Sequence, residues 1–318
     1  MPSKPKVSIL MPNYNGSKYI GEAIMSCENQ DYENIEIIIV DDGSTDDSLK
    51  IITEYLNRYN NIKLFSQSNK GGCAARNLAF EKSTGDFIMY LDSDDLISHN
   101  KISSQVNLLR QKSQNDISFC QWGRFHKDIK DVSFPERLIY RDFPYGLEMI
   151  EYLLTTDMLQ TSCWLVPRNI IEETGKWAEN LTVNQDGEFF IRLLSNVEKI
   201  FFVKDAYVFY RSSDKNSISR KSITINKGVS LYESIKLIQN NLELKNLINK
   251  RIKGGLVRCY MSIAYEYYKY PSLVNKTKNQ VKKIGTRPIG FSYGSSLFKM
   301  AIKLIGFWNT IKLKKLLF

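Results

Sequence analysis

Short apolar runs and amphipathic segments alternate along the first hundred residues of the chain. The apolar runs predict four strands, at residues 7–11, 35–40, 62–65 and 87–91. Each run is followed by turn-forming residues and then by a segment whose apolar side chains recur at helical spacing. Nearly continuous apolar strands are typical of parallel sheets that helices cover on both faces. The pattern therefore predicts an α/β fold with a Rossmann-like, mainly parallel sheet flanked by helices.

Polar residues suited to ligand binding follow these strands. In open α/β sheets, ligands bind beyond the carboxyl ends of the strands. We therefore expect one cleft to be lined by residues that lie far apart in the sequence, namely Tyr14, Asp41, Asp42, the segment 70–76 and the segment 92–94. Neither Gly-x-Gly-x-x-Gly nor Gly-x-x-x-x-Gly-Lys-Ser/Thr occurs there, which argues against a dinucleotide site and a P-loop.

Three carboxylates, those of Asp92, Asp94 and Asp95, follow the fourth predicted strand within four residues. Like charges at the end of a buried strand are unfavourable unless a positive group neutralises them. A hard divalent cation with oxygen ligands, Mn²⁺ or Mg²⁺, is the candidate that suits them best. The alternative is an acidic loop that only caps the next helix.

Two residues of the predicted cleft have the chemistry to bind a nucleoside. Asp42 offers a carboxylate that accepts N–H groups of a base or hydroxyls of a ribose, and Tyr14 offers a flat ring for stacking. The alternatives are that Asp42 caps a helix and that Tyr14 makes ordinary turn contacts.

Candidate functional residues also occur in the less regular middle of the chain. Trp164, in a predicted strand at residues 161–167, either stacks on a sugar ring or fills the core. Asp186 comes just before a helix predicted from Glu188 onward, where the helix dipole favours an ionised carboxylate. It is either a general base or a plain N-cap.

Charge is distributed unevenly along the 318 residues. The net charge is +10, but residues 1–221 hold 26 basic and 31 acidic residues, whereas residues 222–318 hold 18 basic and 3 acidic ones. This asymmetry predicts a domain at residues 1–221, followed by a basic helical region at 222–318 that meets an anionic partner. The five scattered cysteines indicate neither a disulfide framework nor a zinc site, so we expect a reducing cytoplasm.

The last 24 residues separate into two faces if they form one helix, at about 100° per residue. The residues on one face are Lys299, Lys303, Gly306, Thr310 and Lys314, and those opposite are Leu297, Ala301, Leu304, Ile305, Trp308 and Ile311. Lysines opposite large apolar side chains predict an interfacial helix on an anionic membrane surface. The alternative is a helix docked on its own domain. Nucleic acid is disfavoured as a partner, because no RNA- or DNA-binding module surrounds these lysines.

Four motifs, in this order, resemble the family 2 inverting glycosyltransferases of the GT-A fold. They are VSILMPNYN at residues 7–15, VDDGSTD at 40–46, NKGGCAARN at 69–77 and GDFIMYLDSDD at 85–95. The resemblance extends over roughly residues 5–220. It implies that Asp42 and Tyr14 hold the base of a nucleoside-diphosphate sugar, and that Asp92 and Asp94 form the metal-binding Asp-x-Asp. It also implies that Arg76 lines the donor pocket and that Arg211 lies near the diphosphate, where it either assists the leaving group or only pairs with an acid at the surface. We further predict donor contacts from Pro12, Asp41, Lys70, Ser93 and Trp164. Asp186 would be the catalytic base, preceded here by Gln185 where many members have Glu.

The expected function is therefore sugar transfer with inversion, most simply from a UDP-sugar, in the assembly of surface polysaccharide or another glycan. The basic tail suggests a lipid-linked acceptor and a position on the cytoplasmic face of the cell membrane. Two alternatives stay open. A sugar-nucleotide pyrophosphorylase would need a Gly-rich, Arg-containing loop after the first strand, and an inactive membrane-surface scaffold would not need the carboxylates.

Overall fold

The computed structural model describes residues 4–212 and 223–317. Its strands are β1 (Val7–Asn13), β2 (Ile35–Asp41), β3 (Ile62–Ser66), β4 (Phe87–Tyr90), β5 (Leu96–Ile97), β6 (Ile117–Phe125), β7 (Trp164–Pro167) and β8 (Ile200–Arg211). Its helices are α1 (Ile20–Glu28), α2 (Ser48–Leu56), α3 (Gly72–Lys82), α4 (Lys101–Leu109), α5 (Gly146–Thr155), α6 (Arg168–Thr174), α7 (Gln185–Leu194), α8 (Ile225–Leu244), α9 (Lys250–Glu266), α10 (Pro271–Ile284), α11 (Ser296–Ile305) and α12 (Phe307–Leu317).

All eight strands belong to one sheet, in the order β3-β2-β1-β4-β7-β6-β8-β5. The first four pair in parallel, as the sequence predicts. Strand β7 runs antiparallel to both β4 and β6, while β6 and β8 are parallel to each other. Since β7 is antiparallel to both of its neighbours, β6 and β8 run in the same direction as β1 to β4. The carboxyl ends of these six strands therefore all lie at the same edge of the sheet.

The core of this sheet is formed by the strands with continuous apolar sequences. Every residue of β2 is buried, and so is every residue of β1 except Pro12. A strand buried on both faces must be covered by helices on both sides, and this explains why these runs do not alternate with polar residues. The predicted α/β architecture is therefore confirmed in this part of the chain.

One acidic residue, Glu36, interrupts the apolar run of β2 and is buried. Its carboxylate accepts hydrogen bonds from Ser8 Oγ at 2.7 Å and from the backbone N–H of Thr84 at 2.6 Å. Lys6 and Lys63 approach it at 3.0 and 3.1 Å. Burial by itself raises the pKa of Glu36, but these donors outweigh burial and lower it to about 2. The ionised form is therefore part of the folded structure.

Replacing Glu36 with glutamine is expected to lower the free energy of unfolding at pH 7 by about 3 kcal/mol. Because the pKa of Glu36 is lowered in the folded protein, its stabilisation is complete above the unfolded pKa and is lost as the pH falls toward 2. Urea denaturation at pH 7 and pH 3 measures this difference. Glu33→Gln, at an exposed carboxylate paired with Lys4, is the matched control. Equal stabilities of Glu36→Gln and wild type at pH 7 would refute the expectation.

The chain divides into two compact units that interleave along the sequence. The first contains the described residues up to Gly146, Leu159–Glu179 and residues from Asn196 to 212, and thus the whole sheet. The second contains Leu147–Met158, Asn180–Ser195 and residues 223–317. Two segments that the sequence assigned to the first domain thus pack with the C-terminal helices. The boundary predicted between residues 221 and 222 lies outside the described residues.

Helix α7 belongs to the second unit because its start is bonded to α8. The hydroxyl of Ser230 accepts the backbone N–H of Thr182 at 2.8 Å, and the side-chain amide of Asn184 donates to Ser234 at 2.7 Å. Buried Ser234 and half-buried Asn184 therefore fix where α7 begins. Contacts between polar side chains produce no regular spacing of apolar residues. The hydrophobic pattern of the sequence therefore does not predict them.

One expectation about the C-terminal region was wrong, and it concerns the end of the chain. Before that segment, α10 begins at Pro271. Proline is tolerated there because it occupies the first helical turn, whose N–H groups have no partner within the helix. The single helix expected at residues 295–318 is instead two helices, α11 and α12. They are separated by Gly306, whose φ of 79° lies in the left-handed region that ends helices.

None of the helices within residues 4–212 and 223–317 combines the length and the apolarity that a bilayer span requires.

Candidate active site

An acidic turn, residues 92–95, follows β4 at the edge of the sheet where the parallel strands end. The backbone N–H of Asp95 donates to the carbonyl of Asp92 at 3.1 Å, which closes the turn. Asp95 is fully buried, and its Oδ1 accepts the backbone N–H of Arg211 at 2.9 Å. Asp95 thus anchors the turn to the end of β8. Asp92 and Asp94 are only partly buried and remain accessible to a ligand.

The electrostatics of this turn favour a cation. Burial first, and then the charge of Asp92, raise the pKa of Asp94 to about 6. Burial, together with the charges of Asp94 and Asp92, raises the pKa of Asp95 well above its ordinary value. The turn therefore holds carboxylates that repel one another, and a bound cation would relieve the repulsion.

The residues present fit a magnesium- or manganese-type site that is completed by substrate. Within residues 4–212 and 223–317, no group of three or more His, Cys, Asp or Glu side chains is placed to hold a metal. Asp92 and Asp94 therefore offer two carboxylates. Mg²⁺ is commonly held by one or two carboxylates, with phosphate oxygens and waters as its other ligands.

Arg76 of α3 lies beside the acidic turn, and its contact with the donor remains a prediction. Its Nη2 donates to Asp92 Oδ1 at 2.7 Å, and its guanidinium lies 4.7 Å from the ring centre of buried Trp177. Asn77 holds the backbone of Trp177, accepting its N–H at 2.8 Å and donating to its carbonyl at 3.1 Å. Trp177 therefore orients Arg76. The sequence offered no signal for this residue, since it lies 100 positions beyond Asn77.

Arg211 holds the acidic turn from the other side. Its buried guanidinium stacks on the rings of Tyr19 and Phe125, at 4.3 and 4.5 Å. It donates to the carbonyl of Asp94 at 2.9 Å and to Glu22 Oε2 at 2.7 Å. Arg211 thus pairs with an acid although it is buried, and its assistance to a leaving group remains a prediction. Glu22 was not singled out in the sequence.

The loop after β1 is fastened to the loop after β2. Asn15, whose φ of 51° is left-handed, accepts the backbone N–H of Thr45 at 2.8 Å and donates its own N–H to Ser44 Oγ at 2.9 Å. Asp46 accepts the backbone N–H of Ser17 at 3.0 Å. These contacts hold Tyr14 with its side chain 52% exposed. The exposed ring argues against ordinary turn packing, and base stacking remains a prediction.

Both aspartates after β2 are buried and engaged within the first unit. Asp41 accepts hydrogen bonds from Asn13 at 2.9 Å and from the Ser44 hydroxyl at 2.6 Å. Asp42 accepts the backbone N–H groups of Lys70 and Gly71, each at 2.8 Å. Asp42 thus orders the loop that leads into α3. Its contact with a base remains a prediction.

The remaining predicted donor residues differ in their surroundings. Half-buried Pro12 lies near the carboxyl end of β1, and exposed Lys70 precedes α3. Ser93 lies in the acidic turn, 3.2 Å from where a Cβ at Gly16 would stand, so the β1–α1 loop closes on the turn. Trp164, by contrast, is 2% exposed and packs against Phe119 at 5.7 Å. The prediction that it stacks on a sugar was wrong, because its ring fills the core.

Asp186 belongs to the second unit and lies in the first turn of α7. The prediction that it precedes the helix was wrong by a few residues, since α7 begins at Gln185 after Asn184 in a left-handed conformation. The positive end of the helix dipole still favours its ionised form. Its role as a base remains a prediction.

Comparisons with known proteins agree with these observations. The model of the family described as "Glycosyl transferase family 2" matches residues 8–175. A Haemophilus influenzae protein described as an uncharacterized glycosyltransferase is 44% identical over 270 residues, which are 83% of this chain and 96% of the relative. The cholesterol galactosyltransferase of Borreliella burgdorferi is 28% identical over 76% of this chain and 67% of its own length.

Solved structures show the same fold. The crystal structure of S. aureus TarS 1-349 matches with a TM-score of 0.63 at 20% identity, covering 88% of each chain. A complex of the same protein with UDP-GlcNAc matches with a TM-score of 0.61 at 18% identity, over 88% of this chain and 89% of that one. The fold is thus of the GT-A type, with C-terminal helices, as the resemblance implied. The chain belongs to glycosyl transferase family 2.

Proposed function

We propose that the protein transfers a sugar from a UDP-sugar to an acceptor hydroxyl with inversion at the anomeric carbon. The observation that carries the proposal is the acidic turn, where Asp92 and Asp94 form a repelling pair at the sheet edge that also presents Tyr14. Membership of a glycosyltransferase family supports the reaction class. The related fold of TarS, solved with UDP-GlcNAc, supports a uridine nucleotide as donor.

Each donor-side residue has a role that follows from its surroundings. Tyr14 stacks on the base, and Asp42 orders the loop that brings Lys70 to the phosphates. Asp92 and Asp94 would hold Mn²⁺ or Mg²⁺, which would supply positive charge to offset the diphosphate leaving group. Arg76, held by Trp177, keeps the carboxylate of Asp92 in place and adds positive charge beside it.

The acceptor is activated by a base on the opposite face of the sugar. Asp186 takes the proton from the acceptor hydroxyl as its oxygen bonds to the anomeric carbon. The bond from that carbon to the diphosphate oxygen breaks in the same displacement, and the nucleoside diphosphate leaves with the bonding electron pair. Such a displacement inverts the configuration and requires no covalent enzyme intermediate.

Neither alternative function has a supporting observation. A pyrophosphorylase would need a Gly-rich, Arg-containing loop after β1, whereas β1 here ends in Pro12 and Asn13 and is followed by Tyr14. An inactive scaffold would not need the repelling carboxylates of the acidic turn.

A panel of UDP-, GDP- and dTDP-sugars tests the donor. A ligand present at 100 times its Kd stabilises the folded state by about 2.7 kcal/mol, so the correct donor raises the melting temperature measurably. We expect UDP-sugars with Mn²⁺ to give the largest increase. Comparison of UDP-hexoses with UDP-N-acetylhexosamines decides between the two donor classes. A panel without any stabilising member would contradict the proposed donor site.

The C-terminal helices support a position on the inner face of the cell membrane, with a lipid-linked glycan as acceptor. On α11, Leu297, Met300 and Leu304 share one face and are 74%, 54% and 75% exposed. Lys299 and Lys303 flank this apolar face and are also exposed. Beyond Glu266 the sequence contains no acidic residue. An apolar face bordered by lysines suits an anionic leaflet.

Other parts of this region dock on the second unit, as the alternative interpretation of the tail expects. Phe307 and Ile311 of α12 are buried in a cluster with Val257 of α9. Lys314 lies 3.6 Å from the ring centre of Tyr265 and donates to its carbonyl at 3.1 Å. The face of α11 just described is therefore the part left for a membrane.

Replacing Leu297 and Leu304 together with serine is expected to weaken binding to anionic phospholipid vesicles at least about tenfold, because two leucine side chains lose their burial. Co-sedimentation with vesicles containing phosphatidylglycerol measures the effect, and pure phosphatidylcholine vesicles should bind wild type weakly. Leu244→Ser, at an 83% exposed leucine of α8, is the matched control. Unchanged binding by the double variant would rule out this surface.

A further inference from the structure

A group of aromatic and arginine side chains lies at the carboxyl ends of β6 and β8. We call it the arginine–tryptophan cluster, and it consists of Trp122, Arg124, Arg137 and Tyr210. Arg124 and Tyr210 are direct partners in the pairing of β6 with β8. The guanidinium carbons of Arg137 and Arg124 lie 4.3 and 5.4 Å from the ring centre of Trp122, and that of Arg124 lies 5.7 Å from Tyr210.

The cluster is built into the fold. A loop folds back across β6, where Arg124 and Ser133 exchange backbone hydrogen bonds. This approach requires Gly123, since a Cβ there would lie 2.6 Å from the carbonyl oxygen of Ser133. The hydroxyl of Tyr140 bonds to both backbone groups of Trp122 at 3.2 Å. The rings that carry the two guanidiniums are therefore fixed.

Arg124 is available to a ligand. Its side chain is exposed, and no carboxylate among the described residues lies within salt-bridge distance of it. Stacking on a ring face holds a guanidinium through its flat side and leaves its N–H edge for an acceptor. Trp122 adds a buried indole N–H that makes no hydrogen bond within the described chain. Arg124 and the indole N–H of Trp122 thus offer hydrogen-bond donors to a ligand.

The cluster adjoins the acidic turn. Tyr210 pairs with Arg124 across β8 and β6, and the next residue of β8 is Arg211. The backbone N–H of Arg211 donates to Asp95 Oδ1 at 2.9 Å, and its side chain donates to the carbonyl of Asp94 at 2.9 Å. The strand end that carries Tyr210 is therefore bonded directly to the turn.

The order of the strands indicates which substrate meets the cluster. The predicted contacts to the nucleotide lie on the loops after β1, β2 and β3, which are all on one side of β4. Strands β6 and β8 lie on the other side of β4. An anion bound by the cluster would therefore approach the acidic turn from the side opposite the nucleotide.

We propose that the arginine–tryptophan cluster binds a phosphate group of the acceptor substrate. Two N–H groups at one edge of a guanidinium can donate to two oxygens of the same phosphate. A second guanidinium nearby adds positive charge that favours binding of the phosphate dianion. The phosphate belongs either to a phosphate-bearing polyol or glycan, or to a lipid-linked diphosphate, since both present the same oxygens. This inference rests on the proposed transfer reaction, because only then does the side opposite the nucleotide receive an acceptor.

Phosphorus NMR titrations of the full chain test the proposal, with UDP and Mg²⁺ present to fill the donor site. The probes are glycerol 3-phosphate and geranyl diphosphate, and glycerol serves as a proton-detected neutral control. We expect saturable binding of a phosphate probe to wild type and at least about tenfold weaker binding to Arg124→Gln. Arg124→Lys should retain part of the affinity. Tighter binding of geranyl diphosphate than of glycerol 3-phosphate would assign the phosphate to a lipid carrier, and the reverse to a polyol or glycan.

Arg141→Gln is the matched control, since Arg141 is also exposed but stacks on Phe143, which pairs with the amino end of β8. Unchanged probe binding by Arg124→Gln would overturn the proposal, as would an equal loss of UDP affinity, which would assign Arg124 to the donor. If wild type failed to bind UDP, the proposed function would fall, and titration of the probes without UDP would still decide whether the cluster binds phosphate.

Discussion

Replacing Asp94 with alanine is expected to lower the rate of sugar transfer roughly 10³-fold, because the metal's stabilisation of the leaving diphosphate amounts to several kcal/mol. The stability of the metal-free folded protein should not decrease. Burial and Asp92 raise the pKa of Asp94 to about 6, so this carboxylate is costly to keep ionised in the metal-free protein. The melting temperature without metal should therefore stay equal or rise. Product formation from the preferred UDP-sugar and a thermal melt measure the two effects.

Asp205→Ala is the control for this substitution, since Asp205 is an exposed carboxylate of β8 in the same unit. It should retain the wild-type rate. If Asp94→Ala kept a rate near that of wild type with added Mn²⁺, Asp94 would not be a metal ligand. A large fall in melting temperature would instead indicate that Asp94 has a structural role.

Replacing Asp186 with asparagine is expected to lower turnover roughly 10³-fold, within the range that general bases contribute. Asparagine has nearly the same shape, so α7 and the donor site should be unaffected. The affinity for UDP should stay within about threefold of wild type, since the base acts on the acceptor proton and not on the nucleotide. Steady-state kinetics and calorimetric titration of UDP together separate the two effects.

Asp205→Asn serves as the matched amide control. A near-normal rate in Asp186→Asn would remove Asp186 from the mechanism. Loss of UDP binding in the same variant would contradict its assignment to the acceptor side.

The first four strands were predictable because strands buried on both faces are continuously apolar, and their runs begin and end at polar turns. The rule that parallel strands direct their carboxyl ends to one edge then grouped Tyr14, Asp42 and the acidic turn. Within the first unit, Asp42 binds the loop that leads into α3, and Arg76 of α3 binds Asp92 of the acidic turn. The local sequence thus carried most of the information on the donor side of the site.

Contacts between distant segments were not predictable in this way. Trp177 supports Arg76 from a position 101 residues further on, and an aromatic residue in an irregular segment has no periodicity that marks its partner. Trp164 has the same residue type and fills the core instead. On the wheel of residues 295–318, Gly306 counted as one more helical position, although its left-handed backbone divides the segment. In each case tertiary packing decided the outcome.

Calorimetric titration of UDP into the wild-type chain, with Mn²⁺ and then with EDTA, tests most directly whether carboxylates at the sheet edge hold a nucleoside diphosphate through a cation. We predict one saturable site with Mn²⁺ and loss of at least about tenfold in affinity when the cation is removed. Equal affinity under both conditions, or no binding in either, would contradict that claim.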